Sequence, residues 1–254
     1  MSFLEEAFSL AGRTALVTGA RRGIGQAIAV AFARAGADVV LLARDSRLEE
    51  TVGLLAEAGC TPSVVEADLA EPEAAGAAVR ELVQSQRVDI LVNNAGTILR
   101  ADAADYGYAD WQTVVNINQN STWLISQEAG RPMVERGAGK IINIASLLSF
   151  QGGIRVPAYT ASKHAVAGIT KALANEWAGS GVQVNAIAPG YIATDNTTDL
   201  RADEGRSQEI LGRIPAGRWG NASDIAGTAV FLAGPGSDYI NGHILPVDGG
   251  WLAR

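Results

Sequence analysis

Short apolar runs alternate along the chain with longer stretches whose apolar positions recur every three or four residues. Runs of the first kind are 14–18 (Thr14-Ala15-Leu16-Val17-Thr18), 39–43, 63–67, 89–93, 140–144, 182–187 and 244–247. They are rich in Val, Ile and Leu and lack a polar face, as strands covered on both sides do. The intervening segments read as helices over 23–35, 45–58, 72–86, 108–136 with a break, about 159–178, and 223–232 capped by Ser223. Gly36 and Gly59 stop the first two. Strands and helices in strict alternation predict one α/β domain, a doubly wound parallel sheet with helices on both faces. Residues 194–215 break the rhythm with Asp, Arg and Thr, which predicts a lid carrying short helices. No linker, repeat or low-complexity stretch divides the chain.

Composition narrows the class without changing the fold. A chain of 254 residues with 48% hydrophobic and 19% charged residues can bury a sizeable core. A net charge of −7 argues against general affinity for nucleic acid or anionic membranes. Cys60 is the single cysteine, so nothing points to an oxidising compartment. The beginning, Met1-Ser2-Phe3-Leu4-Glu5-Glu6, has no basic region followed by an apolar run. No apolar stretch approaches the roughly 20 residues of a membrane helix. The expectation is a soluble, cytoplasmic protein.

The first candidate chemistry is Tyr159-Thr160-Ala161-Ser162-Lys163, with Ser146 thirteen residues earlier. Residues four apart share a helix face, and a cation near a phenol favours the phenolate. Such a Tyr can give a proton to an alkoxide or take one from an alcohol. Alone, the spacing fits an ordinary solvated helix face equally well. A second candidate, Thr18-Gly19-Ala20-Arg21-Arg22-Gly23-Ile24-Gly25, joins the first strand to the first helix. Glycines there let the backbone turn and approach a pyrophosphate, which the helix N–H groups then face. The spacing is G-x-x-x-G-x-G rather than G-x-G-x-x-G. The second strand ends in Ala43-Arg44-Asp45. Arg22 and Arg44 can form a pocket for a 2′-phosphate, favouring NADP(H), with NAD(H) as the alternative. Asp45 complicates this, since it can pair with Arg44 or turn toward the ribose. Asp68-Leu69 can meet the adenine edge, or Asp68 can cap a helix. Asn93-Asn94-Ala95-Gly96 can tie strand ends together and bring small residues beside the cofactor ribose. His164, His243 and Cys60 stand apart, and no metal site is expected.

Taken together, Thr18-Gly19-x-x-x-Gly23-Ile24-Gly25, Asn93-Asn94-Ala95-Gly96, Ser146, Tyr159-x-x-x-Lys163 and Pro189-Gly190 followed by Thr194 resemble the short-chain dehydrogenase/reductase family. The resemblance spans essentially the whole chain and implies a Rossmann fold. It implies Tyr159 as general acid/base, Lys163 as the group that lowers its pKa and holds the nicotinamide ribose, and Ser146 as the partner of the substrate oxygen. Asn118, seven residues after Trp111, is implied to hold a relay water; Asn116 lies close enough to be confused with it. Arg21 and Ile24 join the cofactor loop, and Pro189, Gly190, Ile192 and Thr194 are implied to hold the carboxamide.

Further stretches resemble the bacterial sugar-acid members of the family: 149–157, 189–196, 213–220 and the ending 247–254. A sugar acid needs a cation for its carboxylate and amides for its hydroxyls. Arg100 and Arg155 are candidates for the first, Gln151 and Asn196 for the second, with surface salt bridges as the alternative for each Arg. A 3-oxoacyl thioester reductase is the rival enzyme, although the net charge disfavours an acidic carrier protein. A non-enzymatic NADP sensor would not need Ser146, Tyr159 and Lys163 together. The resemblance, with the apolar residues of 239–254, implies a homotetramer.

Overall fold

The computed structural model describes residues 2–45 and 47–254, and for Asn196 the backbone alone. Seven strands form one parallel sheet: β1 (Thr14–Thr18), β2 (Asp38–Ala43), β3 (Ser63–Glu66), β4 (Ile90–Asn93), β5 (Gly139–Ile144), β6 (Val182–Pro189) and β7 (Ile244–Val247). Their order is β3-β2-β1-β4-β5-β6-β7. The order reverses between β1 and β4, and the crevice beyond the strand ends at such a point is where open α/β sheets bind ligands.

The principal helices are α1 (Phe3–Phe8), α2 (Gly23–Arg34), α3 (Glu49–Glu57), α4 (Pro72–Ser85), α5 (Tyr108–Val115), α6 (Ser121–Arg136), α7 (Pro157–Trp177), α8 (Thr198–Ala202), α9 (Glu204–Arg213) and α10 (Ala222–Ala233). Successive strand residues point to opposite faces, so the buried runs of β1, β2, β4, β5 and β6 feed two cores. On one face Val17, Leu41, Val92 and Ile144 pack with Ile28 and Phe32 of α2 and Leu232 of α10. On the other, Leu16, Leu42, Leu91 and Val184 pack with Val79 of α4, Ile125 and Met133 of α6 and Leu173 of α7. Between the sheet and α6–α7 runs a buried polar ladder. Asn93 donates to Ser126 and to Asn143, each at 2.8 Å, and Asn143 donates to Thr170 at 2.9 Å.

Several boundaries differ from the sequence reading. The helix expected from residue 45 starts at Glu49, because Asp45 accepts from the Arg47 N–H and holds a turn. The last long helix is capped by Asn221, not Ser223: Asn221 and Asp224 form a reciprocal box in which the Asn221 N–H donates to Asp224 at 2.7 Å. The break in 108–136 is not an interruption but one wide π turn, Asn116–Asn120, between α5 and α6. Helix α1 was not foreseen; Ser2 and Glu5 cap each other and none of its residues is buried. Residues 194–215 carry two short helices, α8 and α9.

Candidate active site

The glycine loop sets the floor of the site. Gly19 turns with φ +66°, and a Cβ there would lie 2.7 Å from the Ala95 Cα. Gly25, the third residue of α2, lets that helix close onto Asn94, whose Nδ2 would sit 2.3 Å from an added Cβ. Asn94 in turn donates to the carbonyls of Thr18 and Gly19 at 3.0 and 2.9 Å. The β1 and β4 ends are thereby locked together. No side chain caps the N-terminus of α2, so its first N–H groups are left to a ligand. They open on a cavity of about 650 Å³. An uncapped helix N-terminus over such a cavity fits a pyrophosphate-bearing dinucleotide.

Of the residues assigned to the cofactor, Gly19, Arg21, Arg22, Gly23, Ile24, Arg44, Asp68, Leu69, Asn94, Ala95, Gly96, Pro189, Gly190, Ile192 and Thr194 all line this cavity. Gly25 lies behind it. Ser146, Tyr159 and Lys163 line the same cavity, at the end formed by β5 and the start of α7. Asp68 does not cap a helix; its carboxylate accepts from the Ala70 N–H at 2.9 Å in the turn before α4.

Asn118, 1% exposed, sits in the π turn with its side chain drawn inward. Its Oδ1 accepts from the Thr97 N–H at 2.8 Å, and its Nδ2 donates to the Thr97 carbonyl and to Ser162. The amide therefore clamps the segment after β4 to α7. Asn116, its near neighbour in sequence, instead donates to the Ala70 carbonyl at 3.3 Å.

The charges around Tyr159 differ from expectation. Lys163 is 4% exposed, and burial pulls its ammonium down from 10.5 to about 8. Its Nζ donates to the Ile144 carbonyl at 2.5 Å and lies 5.6 Å from the Tyr159 ring centre. Tyr159 keeps part of its surface open, yet burial is the largest influence and pushes its phenol above the ordinary value. A hydrogen bond with the Ser146 hydroxyl and the charge of Arg100 pull it back. The expected lowering by Lys163 is thus supplied by Ser146 and Arg100, and burial outweighs it.

At the far end of the cleft the arginines are arranged otherwise than the sequence suggested. Arg22 and Arg44 line the same cavity, but the Arg22 Nη1 pairs with Asp195 at 2.6 Å. Asp45 lines the cavity as well, and it does not pair chiefly with Arg44, which lies 3.9 Å away. Arg47 holds it with a 2.5 Å hydrogen bond, and that bond lowers the carboxyl to about 2. Arg47 and Asp195 were both missed. Several cations and carboxylates lie within a few residues of each, and pattern alone cannot choose their pairing.

The substrate candidates are only partly gathered. Arg100, Gln151 and Arg155 lie outside the described wall of the cavity, and the Asn196 side chain lies outside the described residues. Arg155 forms the surface ion pair held open as its alternative, 2.9 Å from Asp102, with its backbone at φ +65°. Gln151 accepts from the Trp251 indole at 3.4 Å. Trp251 is buried in its own chain, against Tyr191, Ile214 and Leu147, rather than awaiting a neighbour, while Tyr239 is wholly exposed. Among the described residues no group of three or more His, Cys, Asp and Glu is placed to hold a metal, and no helix is long and apolar enough to cross a membrane.

A family model described as enoyl-(acyl carrier protein) reductase matches residues 19–252. The 2-dehydro-3-deoxy-D-gluconate 5-dehydrogenase of Bacillus subtilis (strain 168) is 60% identical over 254 residues, covering 100% of both chains. The protein of the same name from Escherichia coli (strain K12) is 52% identical over 250 residues, covering 98% of each. The crystal structure of a gluconate 5-dehydrogenase from Burkholderia cenocepacia J2315, in complex with NADP and tartrate, superposes with a TM-score of 0.94 at 37% identity. That match covers 98% of this chain and 99% of the other. A glycine loop under an open helix, a Ser–Tyr–Lys group in the same cleft and these full-length likenesses have one meaning: the chain belongs to the short-chain dehydrogenase/reductase family of oxidoreductases.

Proposed function

We propose that the protein interconverts a secondary alcohol and a ketone on a sugar acid, such as 2-dehydro-3-deoxy-D-gluconate or 2-deoxy-D-gluconate, with NADP(H) as cofactor. The observation that carries this reading is the shared cavity: Ser146, Tyr159 and Lys163 stand at one end and the uncapped N-terminus of α2 at the other. A bound nicotinamide supplies or accepts the hydride. The chain supplies the rest. Tyr159, whose phenol burial pushes above its ordinary value, donates to the ketone oxygen, and Ser146 holds that oxygen through its hydroxyl. Lys163 would hold the nicotinamide ribose, the role that the family resemblance implies for it. Asn118 acts by fixing the backbone of Thr97 beside the site.

Support for the substrate class comes from the names of the relatives and from Arg100, whose charge already reaches Tyr159 and would attract a carboxylate. Support for NADP(H) comes from Arg44 on the cavity wall, with Arg47 neutralising Asp45, a carboxylate that would otherwise repel a 2′-phosphate there. NAD(H) remains the alternative. We place the protein in the cytoplasm as a homotetramer, with residues 194–215 as the substrate lid.

The test is a panel of gluconate, deoxygluconates and their keto forms, with a 3-oxoacyl thioester as the rival, assayed with both cofactors. Tyr159→Phe should lower kcat by at least about 100-fold, in the range of general acid–base effects, while cofactor affinity holds. Retention of more than about a tenth of kcat would remove Tyr159 from the role. Turnover of the thioester alone would move the protein to the rival reading.

A further inference from the structure

Two separately built elements meet across the mouth of the cofactor cleft. Arg22 belongs to the glycine loop and precedes α2. Asp195 opens a short helical turn, Asp195–Thr197, from which the chain runs into α8 and α9. That turn is rigid without Arg22: Thr197 donates to the Ile192 carbonyl at 2.7 Å, and Thr194 and Thr197 bond each other reciprocally. The loop is equally independent, since Asn94 holds the Gly19 carbonyl. Contact between the elements at this point is slight; a Cβ on Gly23 would only touch Thr194, at 3.4 Å. The 2.6 Å ion pair is therefore the polar bond that joins them, and both of its residues line the cavity.

We propose that Arg22 and Asp195 form an electrostatic strap that closes the pyrophosphate part of the cleft and slows cofactor release. The inference rests on the dinucleotide reading of that cleft and adds Asp195 as a positioning residue. A dinucleotide held at the N-terminus of α2 would share the cavity with this pair, and parting of the pair would widen its way in and out. Arg22 is then divided between a carboxylate and the phosphates. Both side chains are more than half exposed, 64% and 59%, so the strap is weak and salt-sensitive. Exposed pairs of this kind change populations by about 1.5- to 5-fold. The strap is a brake on release and not a lock.

An opposing effect has the opposite sign. Asp195 also places a negative charge near the phosphates, and if repulsion dominated, removing it would slow release. Stopped-flow fluorescence of NADPH displaced from the full chain by excess NADP⁺ separates the two. Asp195→Asn should speed release by about 1.5- to 5-fold at roughly 20 mM salt, in the range of such pairs, and speed association as well. Raising salt to about 0.5 M, where screening is short-ranged, should speed release from both proteins through their shared phosphate contacts, but more from wild type, so that the two rates converge. Asp195→Glu, which keeps the charge, should restore slow release. Unchanged or slower release from Asp195→Asn, or an equal salt response in both proteins, would overturn the strap. A wild type that binds no NADPH would instead overturn the cofactor reading. If Asp195→Asn does not fold, Asp195→Ser takes its place, with the same outcomes supporting or overturning the strap.

Discussion

Replacing Lys163 by Met should make the nucleotide-free protein more stable while removing its chemistry. Lys163 is 4% exposed, and burial drops its ammonium from 10.5 to about 8. At about 1.4 kcal/mol per pH unit, that drop costs the folded state roughly 3 kcal/mol at neutral pH. A methionine side chain fills similar space without a charge to bury. The variant forfeits the bond to the Ile144 carbonyl, which offsets part of the gain because charge-assisted bonds contribute about 1.5–3 kcal/mol. A net stabilisation of up to about 1.5 kcal/mol follows, or up to roughly 6 °C in Tm for a domain of this size. The pH dependence is the sharper measurement. Between about 8 and 10.5 the unfolded lysine holds a proton that the folded one has lost, so wild-type stability rises with pH through that window. Lys163→Met has no such gain, and the advantage of the variant should shrink steadily from about pH 8 upward. Urea melts of both proteins at about pH 7, 8, 9 and 10, taken as a difference, cancel every other titrating group. A variant less stable than wild type at neutral pH, or a gap constant across the series, would refute the reasoning.

Two further outcomes follow from the geometry. Arg44→Ala should weaken NADP(H) by about 1.5–3 kcal/mol, one to two decades, with NAD(H) little changed; an unchanged ratio of the two affinities, by titration, would reverse the cofactor assignment. Light scattering at micromolar concentration should give four times the chain mass, with wholly exposed Tyr239 part of the contact surface; a monomer would dismiss that assembly.

All seven strands were legible as short Val/Ile/Leu-rich runs; β1, β2, β4, β5 and β6 are buried on both faces, while the edge strands β3 and β7 are mostly not buried and were legible by run and spacing alone. Helix α1 was not, since it buries nothing and its six residues are held by a local cap. The glycine loop, the Asn93–Gly96 segment and the Ser146, Tyr159 and Lys163 group were legible as spacings, and the fold brings them to one cavity. Charge pairing was not. Arg44, Asp45 and Arg47 are so close in sequence that any pairing is possible on spacing alone, and only the turn after β2 selects Arg47. Asp195 lies more than 170 residues from Arg22, beyond any local pattern. The sequence also could not say that burial, more than any neighbouring cation, governs Tyr159.

The wide turn at Asn116–Asn120 constrains something other than residue identity. Each residue of an α-helix advances the face by about 100°. The π turn holds one residue more than an α turn, so α6 is rotated by about that angle relative to a straight continuation of α5. Ile125, Ala129 and Met133 meet the sheet only because of that extra residue. Removing one residue between 116 and 120 would swing all three away together, even if every remaining side chain were unchanged. Chain length at this point is therefore under tighter constraint than composition, and an insertion or deletion here should harm the protein more than most substitutions among the same five residues.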